Sequence, residues 1–281
     1  MDKKIIFLFG APRSGTTMLG GILGKSNSIR YIGENRWLFL YIHLGLTNFK
    51  FFRKFYKTQV NTFIQKFKET IILDKTPSNC LISSELIEVF EPEKTLYIHR
   101  DLKQVFPSAL AEWKGKINER GSLDSFDERK KKIHLRILNK LKYKGFIYYR
   151  ILHPFWWPTF FIDFFWGFSY IIRSYLNITF LWGPINLKIF KYFLFNTVED
   201  SIKLQWFICN CRSLNTFIDF SVNVFKIDYS KLCLDSDSEL KKVYEYLDIL
   251  PLKNNIKQIN RNYKNVDNEL QDKINELFNN I

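Results

Sequence analysis

A chain of 281 residues, 46% of them hydrophobic, is long enough to bury a full core, and the expected organisation is one large α/β domain with an inserted subdomain. The 42 Lys and Arg against 28 Asp and Glu leave a net charge of +14 that is unevenly spread: residues 114–150 hold 12 basic and 4 acidic side chains, so an anionic partner competes there with a plain solvated helix face. Cys80, Cys209, Cys211 and Cys233 make no CxxC pair and sit beside no histidine cluster, which excludes a zinc or disulfide framework and leaves a reducing, cytoplasmic setting as the expectation.

The first element is an apolar strand at residues 5–9, entered directly from Lys3 and Lys4 and, before Gly10, too short to be a signal peptide, so a lumenal membrane-anchored enzyme is not expected. Gly10-Ala-Pro-Arg-Ser-Gly-Thr-Thr17 follows and leads into a helical pattern. Such a turn aims unpaired backbone N–H groups and the positive end of a helix dipole at one point, which suits a phosphate or a sulfate. The Gly10-x-x-x-x-Gly15 spacing is that of a nucleotide phosphate loop, but Thr16 and Thr17 stand where a nucleoside triphosphatase places Lys-Ser/Thr. The loop therefore lacks the cation that reaches β and γ phosphates, whereas Arg13 offers planar donors from inside it. The bland alternative is a structural strand-to-helix turn.

Further strands are expected at residues 71–74, 95–99 and 222–227, each followed by a segment of helical spacing. Strands that alternate with helices make a parallel sheet, whose ligand lies beyond the carboxyl ends of the strands. Two segments there carry charge. In LDKTPSN, Lys75 leaves a strand end, Thr76 is placed to cap and Pro77 suits the first helical position. In LYIHRDLKQVFPSAL, Arg100 leaves the next strand, Asp101 with Gln104 reads as a capping box, and Pro107 is expected to kink the helix just before Ser108. Each cation taken alone reads as an ordinary solvated or ion-paired side chain.

From about residue 115 to 220 the pattern turns helical and aromatic. Residues 151–172, ILHPFWWPTFFIDFFWGFSYII, are apolar, but Pro154, Pro158, His153 and Asp163 make a poor spanning helix. Phe155, Trp156, Trp157, Phe160 and Phe161 suit a buried subdomain core, the preferred reading, or a peripheral membrane interface. After the strand at 222–227, helices are expected near 237–247 and 267–278. The expected divisions are residues 1–114, a helical subdomain at 115–220, and a return to the core at 221–281.

These segments carry a family resemblance. FLFGAPRSGTTML is similar to the 5′-phosphosulfate loop of sulfotransferases that use 3′-phosphoadenosine 5′-phosphosulfate (PAPS), and LYIHRDLKQVFPSAL resembles their 3′-phosphate element, with Arg100 and Ser108 on its arginine and serine. LDKTPSN is similar to segments of the glycan and tyrosylprotein branches, where the lysine, here Lys75, assists the departing phosphate. IRYIGENR resembles the segment that carries the base, which places Glu34 on the catalytic glutamate and Arg36 on a trailing arginine. VFKIDYSKL and Gln205-Trp206 match the later strand and helix more loosely.

The resemblance spans about the first 110 residues. It implies a P-loop-like three-layer fold with a central parallel sheet and a helical acceptor-side subdomain. It also implies in-line sulfuryl transfer to an acceptor hydroxyl of a glycan, glycolipid, tyrosine or small alcohol, with adenosine 3′,5′-bisphosphate as product and no metal. Glu34, Lys75 and Arg13 would be catalytic. Pro12, Arg13, Ser14, Gly15, Thr16, Thr17, Arg100 and Ser108 would hold the donor, with Thr16 and Thr17 on its 5′-phosphate. A carbohydrate or lipid-linked acceptor, peripheral membrane contact and no nucleic acid follow as partner expectations. The competing classes are a nucleotide kinase, disfavoured by the absent Lys-Ser/Thr and the lack of a clear acidic Mg²⁺ ligand, and a non-enzymatic anion or nucleic-acid binder that uses the basic segment. His43 and His99 are the alternative bases.

Overall fold

The computed structural model describes residues 3–34, 36–114, 149–162, 165, 183–251 and 268–279. The chain divides into two compact units, residues 1–110 with 183–281, and residues 111–182. The first unit is built on five parallel strands, β1 (Lys4–Phe9), β2 (Ile29–Gly33), β3 (Ile71–Asp74), β4 (Thr95–His99) and β5 (Val224–Asp228), in the order β2-β3-β1-β4-β5. Among the described residues, its helices are α1 (Thr16–Leu23), α2 (Arg36–His43), α3 (Lys50–Ile64), α4 (Ser83–Phe90), α5 (Leu102–Lys114, whose last turn enters the second unit), α6 (Leu187–Phe195), α7 (Val198–Asp219), α8 (Tyr229–Leu234), α9 (Ser236–Tyr246) and α10 (Asn268–Asn279).

The inner strands are buried along most of their length, as their near-continuous apolar runs require. One face of the sheet is aliphatic: Leu8, Leu73, Leu96 and Ile98 pack with Leu19 and Leu23 of α1, Leu232 of α8 and Leu240 and Val243 of α9. The other face is aromatic. Phe7 meets Phe39 of α2 and Phe90 of α4 with ring centroids 5.6 and 5.8 Å apart, and Phe9 and Tyr97 meet Phe217 of α7. Helices cover both faces, which gives the expected three-layer α/β architecture.

Three local features add to the sequence reading. Residues 29–33 form an edge strand that has no clean alternation, and its parallel pairing with β3 carries a register shift between Tyr31 and Gly33. α5 is assigned as one helix with Pro107, the expected kink position, inside it. The helices at 187–219, which the sequence groups with 115–182, belong to the unit of the sheet: the Tyr97 hydroxyl donates to Asn210 Oδ1 at 2.7 Å, and the Ser83 and Thr216 hydroxyls are 2.8 Å apart.

The basic run lies almost wholly outside the described residues. In the second unit the aromatic cluster is split: Trp156 is buried, and Arg150 donates to the buried Thr159 hydroxyl at 3.2 Å, while Trp157 and Phe161 face solvent. Asp163 and residues 166–172 of that segment fall outside the description. Among the described residues no helix is long and apolar enough to cross a membrane.

Candidate active site

The strand order decides which sequence segments become neighbours. Along the carboxyl edge of the sheet, Glu34 follows β2, Lys75 follows β3, the residue 10–17 loop follows β1, and Arg100 follows β4, in that spatial order. The loop is thus central, with one pair of candidate residues on one flank and a cationic cluster on the other.

The loop conformation needs its glycines. A side chain at Gly10, at φ +155°, would place its Cβ 2.7 Å from the Ile98 carbonyl oxygen; one at Gly15, at φ +95°, would meet the Tyr229 ring at the same distance. Arg13 itself is left-handed at φ +68°. A non-glycine residue pays roughly 1–2 kcal/mol for that conformation, the kind of local strain that concentrates at functional sites. α1 opens without a side-chain cap or an acidic residue in its first turn, and its first backbone bond to Gly15 comes from Leu19. The amides of Thr16, Thr17 and Met18 therefore have no intrahelical acceptor and face the loop with the positive end of the dipole. Thr16 is buried and Thr17 exposed. Ser14 is fully buried, and its Oγ has no hydrogen-bond partner among the described residues. A buried hydroxyl left open at a cradle of amides is a group waiting for an acceptor or donor.

On the β3 side, Lys75 is only 2% exposed, and its Nζ lies 2.5 Å from Oε1 of Glu34, which is 49% exposed. The Lys75 amide donates to the Gly33 carbonyl, so the β2–β3 pairing holds both residues at one strand end. Asp74 lies behind them and accepts hydrogen bonds from the Thr76 amide, the Thr76 hydroxyl and Asn79 Nδ2. Thr76 is thus occupied by Asp74 rather than by the cap expected of it, while Pro77 does open the 3₁₀ turn Pro77–Ile82. Burial pushes the Asp74 carboxyl up to about 8 against those hydrogen bonds. Glu34 is the acidic side chain in contact with the buried Lys75 Nζ.

On the β4 side, Arg100 Nη1 donates to the Arg13 carbonyl at 2.9 Å, and its guanidinium lies 4.0 Å from the centre of the Tyr229 ring. Arg13 Nε donates to the Ser108 hydroxyl at 2.7 Å across 95 residues of sequence. Arg13, Arg100 and Ser108 form one group, and Lys75 and Glu34 another. Pro12 is buried in the loop wall. The Trp206 indole donates to the Arg100 carbonyl at 3.1 Å, and Cys80 Sγ to the Gly10 carbonyl at 3.3 Å, so α7 and the 3₁₀ turn hold the loop's two borders.

The alternative bases sit elsewhere. His99 is buried, with Nε2 3.5 Å from Asp101 Oδ1, and its ring faces Phe278. The Asp101 carboxyl is held below its usual range first by the His99 hydrogen bond, and it also accepts from Gln271 of α10. Gln271 Oε1 in turn accepts from the Leu102 amide at 2.8 Å, so the start of α5 is capped from the far end of the chain rather than by the expected capping box. His43, at the end of α2, lines a separate cavity.

Three residues of the site were missed in the sequence. Tyr229 was quoted within VFKIDYSKL without a role, and its signal is Asp228, which caps α8 by accepting from the Ser230 and Lys231 amides at 2.7 and 3.1 Å. Asp74 and Cys80 lie inside a quoted segment or next to it, and only the folded strand register shows what they touch.

No family model matches the chain, and no curated protein does. Solved structures do. A sulfotransferase domain from the curacin biosynthetic pathway aligns at 12% identity and a TM-score of 0.45 over 90% of this chain and 76% of that one. A sulfotransferase domain from the olefin synthase of Synechococcus PCC 7002 aligns at 13% identity and 0.41, over 89% and 75%. A sulfotransferase from Alicyclobacillus acidocaldarius aligns at 11% identity and 0.44, over 100% and 93%.

Proposed function

We propose that the chain transfers a sulfuryl group from PAPS to an acceptor hydroxyl. The observation that carries this reading is the division of the sheet edge: a loop that leads into the open amides of Thr16, Thr17 and Met18, with a buried Ser14 hydroxyl that has no partner among the described residues, lies between the Lys75–Glu34 pair and the Arg100–Arg13–Ser108 cluster. A donor with phosphates at both its 5′ and 3′ positions needs two separate anion sites, and sulfuryl transfer needs a base and a cation beside one of them.

In the proposed reaction the loop amides and Thr16 and Thr17 hold the 5′-phosphosulfate, and Arg100 with Ser108 holds the 3′-phosphate. Glu34 takes the proton of the acceptor hydroxyl as the new oxygen–sulfur bond forms. The sulfur–oxygen bond to the 5′-phosphate breaks, and Lys75 with the loop amides stabilises the charge left on that phosphate. A buried ammonium suits this task, because its charge acts in a poorly solvated setting. Before the donor binds, Lys75 Nζ contacts Glu34, so the same contact positions the base.

Calorimetry on the full chain tests the reading. Adenosine 3′,5′-bisphosphate should bind at least about tenfold more tightly than AMP, since a charge-assisted contact contributes about 1.5–3 kcal/mol. A preference for ATP-Mg²⁺ would overturn the reading in favour of phosphoryl transfer.

A further inference from the structure

Away from the sheet edge, the first unit has a cavity of about 370 Å³ with walls from the end of α2, the turn before α3, and the residues that lead into α6. Asn48 and Leu187 both line it, so the starts of α3 and α6 border the same cavity. Both are unusual surfaces. α6 reads LKIFKYFLF, and only Ile189 is buried. Leu187, Phe190, Tyr192, Leu194 and Phe195 all face solvent, with Leu187 67% and Phe195 85% exposed. At the start of α3, Phe49, Phe51 and Phe55 are exposed, Phe51 at 87%. Scattered apolar side chains need no explanation, but the start of α3 and α6, which border one cavity and both expose aromatic rings, make a patch of the kind that marks a docking surface.

The charges say what would cover it. Residues 49–57 and 187–195 contain six basic side chains, Lys50, Arg53, Lys54, Lys57, Lys188 and Lys191, and no acidic one. Two are neutralised from α4, Arg53 by Glu88 and Lys57 by Glu91. Lys50, Lys54, Lys188 and Lys191 remain exposed among the aromatic rings. Glu85 lies deeper, on the cavity wall. A second copy of the chain would bring like charges together at this face, whereas an anionic lipid surface complements it: aromatic and aliphatic side chains enter the boundary between headgroups and acyl chains, and lysines reach the phosphates.

We infer that the α3 start and α6 form a docking face for an anionic lipid bilayer. It does not depend on the reaction proposed above.

The test is sedimentation of the full chain with vesicles of phosphatidylcholine alone or mixed with phosphatidylglycerol. Binding is expected to the mixed vesicles at low salt and to fall as salt rises. Phe190→Ser with Phe195→Ser should reduce partitioning about tenfold or more, and so should Lys188→Glu with Lys191→Glu, because lysines near an anionic surface contribute directly to its binding. Lys241→Glu on α9 serves as the control and should change little. Circular dichroism melts on both double variants establish that they are folded. Absence of binding to mixed vesicles, binding that both double variants retain, or a dimer that dissociates in Phe190→Ser with Phe195→Ser would each overturn the inference.

Discussion

The two flanks of the residue 10–17 loop use different cations in different ways. On the β3 side a single ammonium, Lys75, is buried and holds one carboxylate, Glu34, at 2.5 Å. On the β4 side two guanidiniums are fixed by directional contacts, Arg100 to the Arg13 carbonyl and over the Tyr229 ring, Arg13 to the Ser108 hydroxyl. A guanidinium stays charged and offers a planar fork of donors, so it suits recognition of a phosphate that does not react. The first flank adds what the second lacks: a half-exposed carboxylate that can accept a proton. Binding and chemistry are therefore expected to separate across the loop.

The largest effect should come from the chemical flank. Glu34→Gln keeps the size of the side chain and a hydrogen bond to Lys75 but removes the proton acceptor, so turnover should fall roughly 10²- to 10⁴-fold at saturating donor. Product-nucleotide release, followed beside a thermal melt, measures it. Near-normal turnover with a slightly lowered melting temperature would reduce Glu34 to a structural partner of Lys75 and return the search to His43 and His99.

The binding flank should respond next. Arg100→Ala removes a charge-assisted contact, so affinity for adenosine 3′,5′-bisphosphate should fall about tenfold to a hundredfold or more while turnover at saturating donor changes little. A loss of turnover with unchanged affinity would erase the distinction between the flanks.

Gly15→Ala probes the frame that holds the two apart. Its methyl group would lie 2.7 Å from the Tyr229 ring at a φ of +95°. A loss of about 1–3 kcal/mol in stability is expected from overpacking, read by urea denaturation, with donor binding weakened as the Tyr229 platform under Arg100 shifts. Unchanged stability would mean that the loop does not need its glycine.

A pH dependence is expected behind Lys75. The Asp74 carboxyl rises from an ordinary value of 3.8 to about 8 on folding, so between those values the native state holds a proton that the unfolded state has lost. Its contribution to stability is complete below pH 3.8 and declines as pH rises toward 8. Melting temperature measured across that window should fall with pH in the wild type and less steeply in Asp74→Asn, which keeps the acceptor for the Thr76 amide and Asn79. Equal slopes would mean that Asp74 is already ionised in the folded chain.

Much of this site was legible in the sequence because each part is local. Glycine spacing, a strand end and the helix that follows are read within a dozen residues, which is enough to single out residues 10–17, Lys75 and Arg100. What could not be read are contacts between distant segments. β2 hides because a short edge strand lacks alternation, yet its pairing with β3 is what brings Glu34 to Lys75. Ser108 receives Arg13, and Tyr229 supports Arg100, across separations that no local pattern encodes. The two expected side-chain caps went elsewhere for the same reason: Thr76 found Asp74, and Asp101 found His99 and Gln271, partners nearer in the fold than the helix amides they were matched with. The α3 and α6 surface was not foreseen either, since aromatic residues at helical spacing read as core until the fold shows which of them are covered.

The separation of binding from chemistry is tested most directly by one calorimetric titration of adenosine 3′,5′-bisphosphate into wild type, Glu34→Gln and Arg100→Ala. The two-flank arrangement predicts that Glu34→Gln stays close to wild-type affinity while Arg100→Ala weakens about tenfold or more. Equal weakening in both variants, or weakening in Glu34→Gln alone, would contradict it.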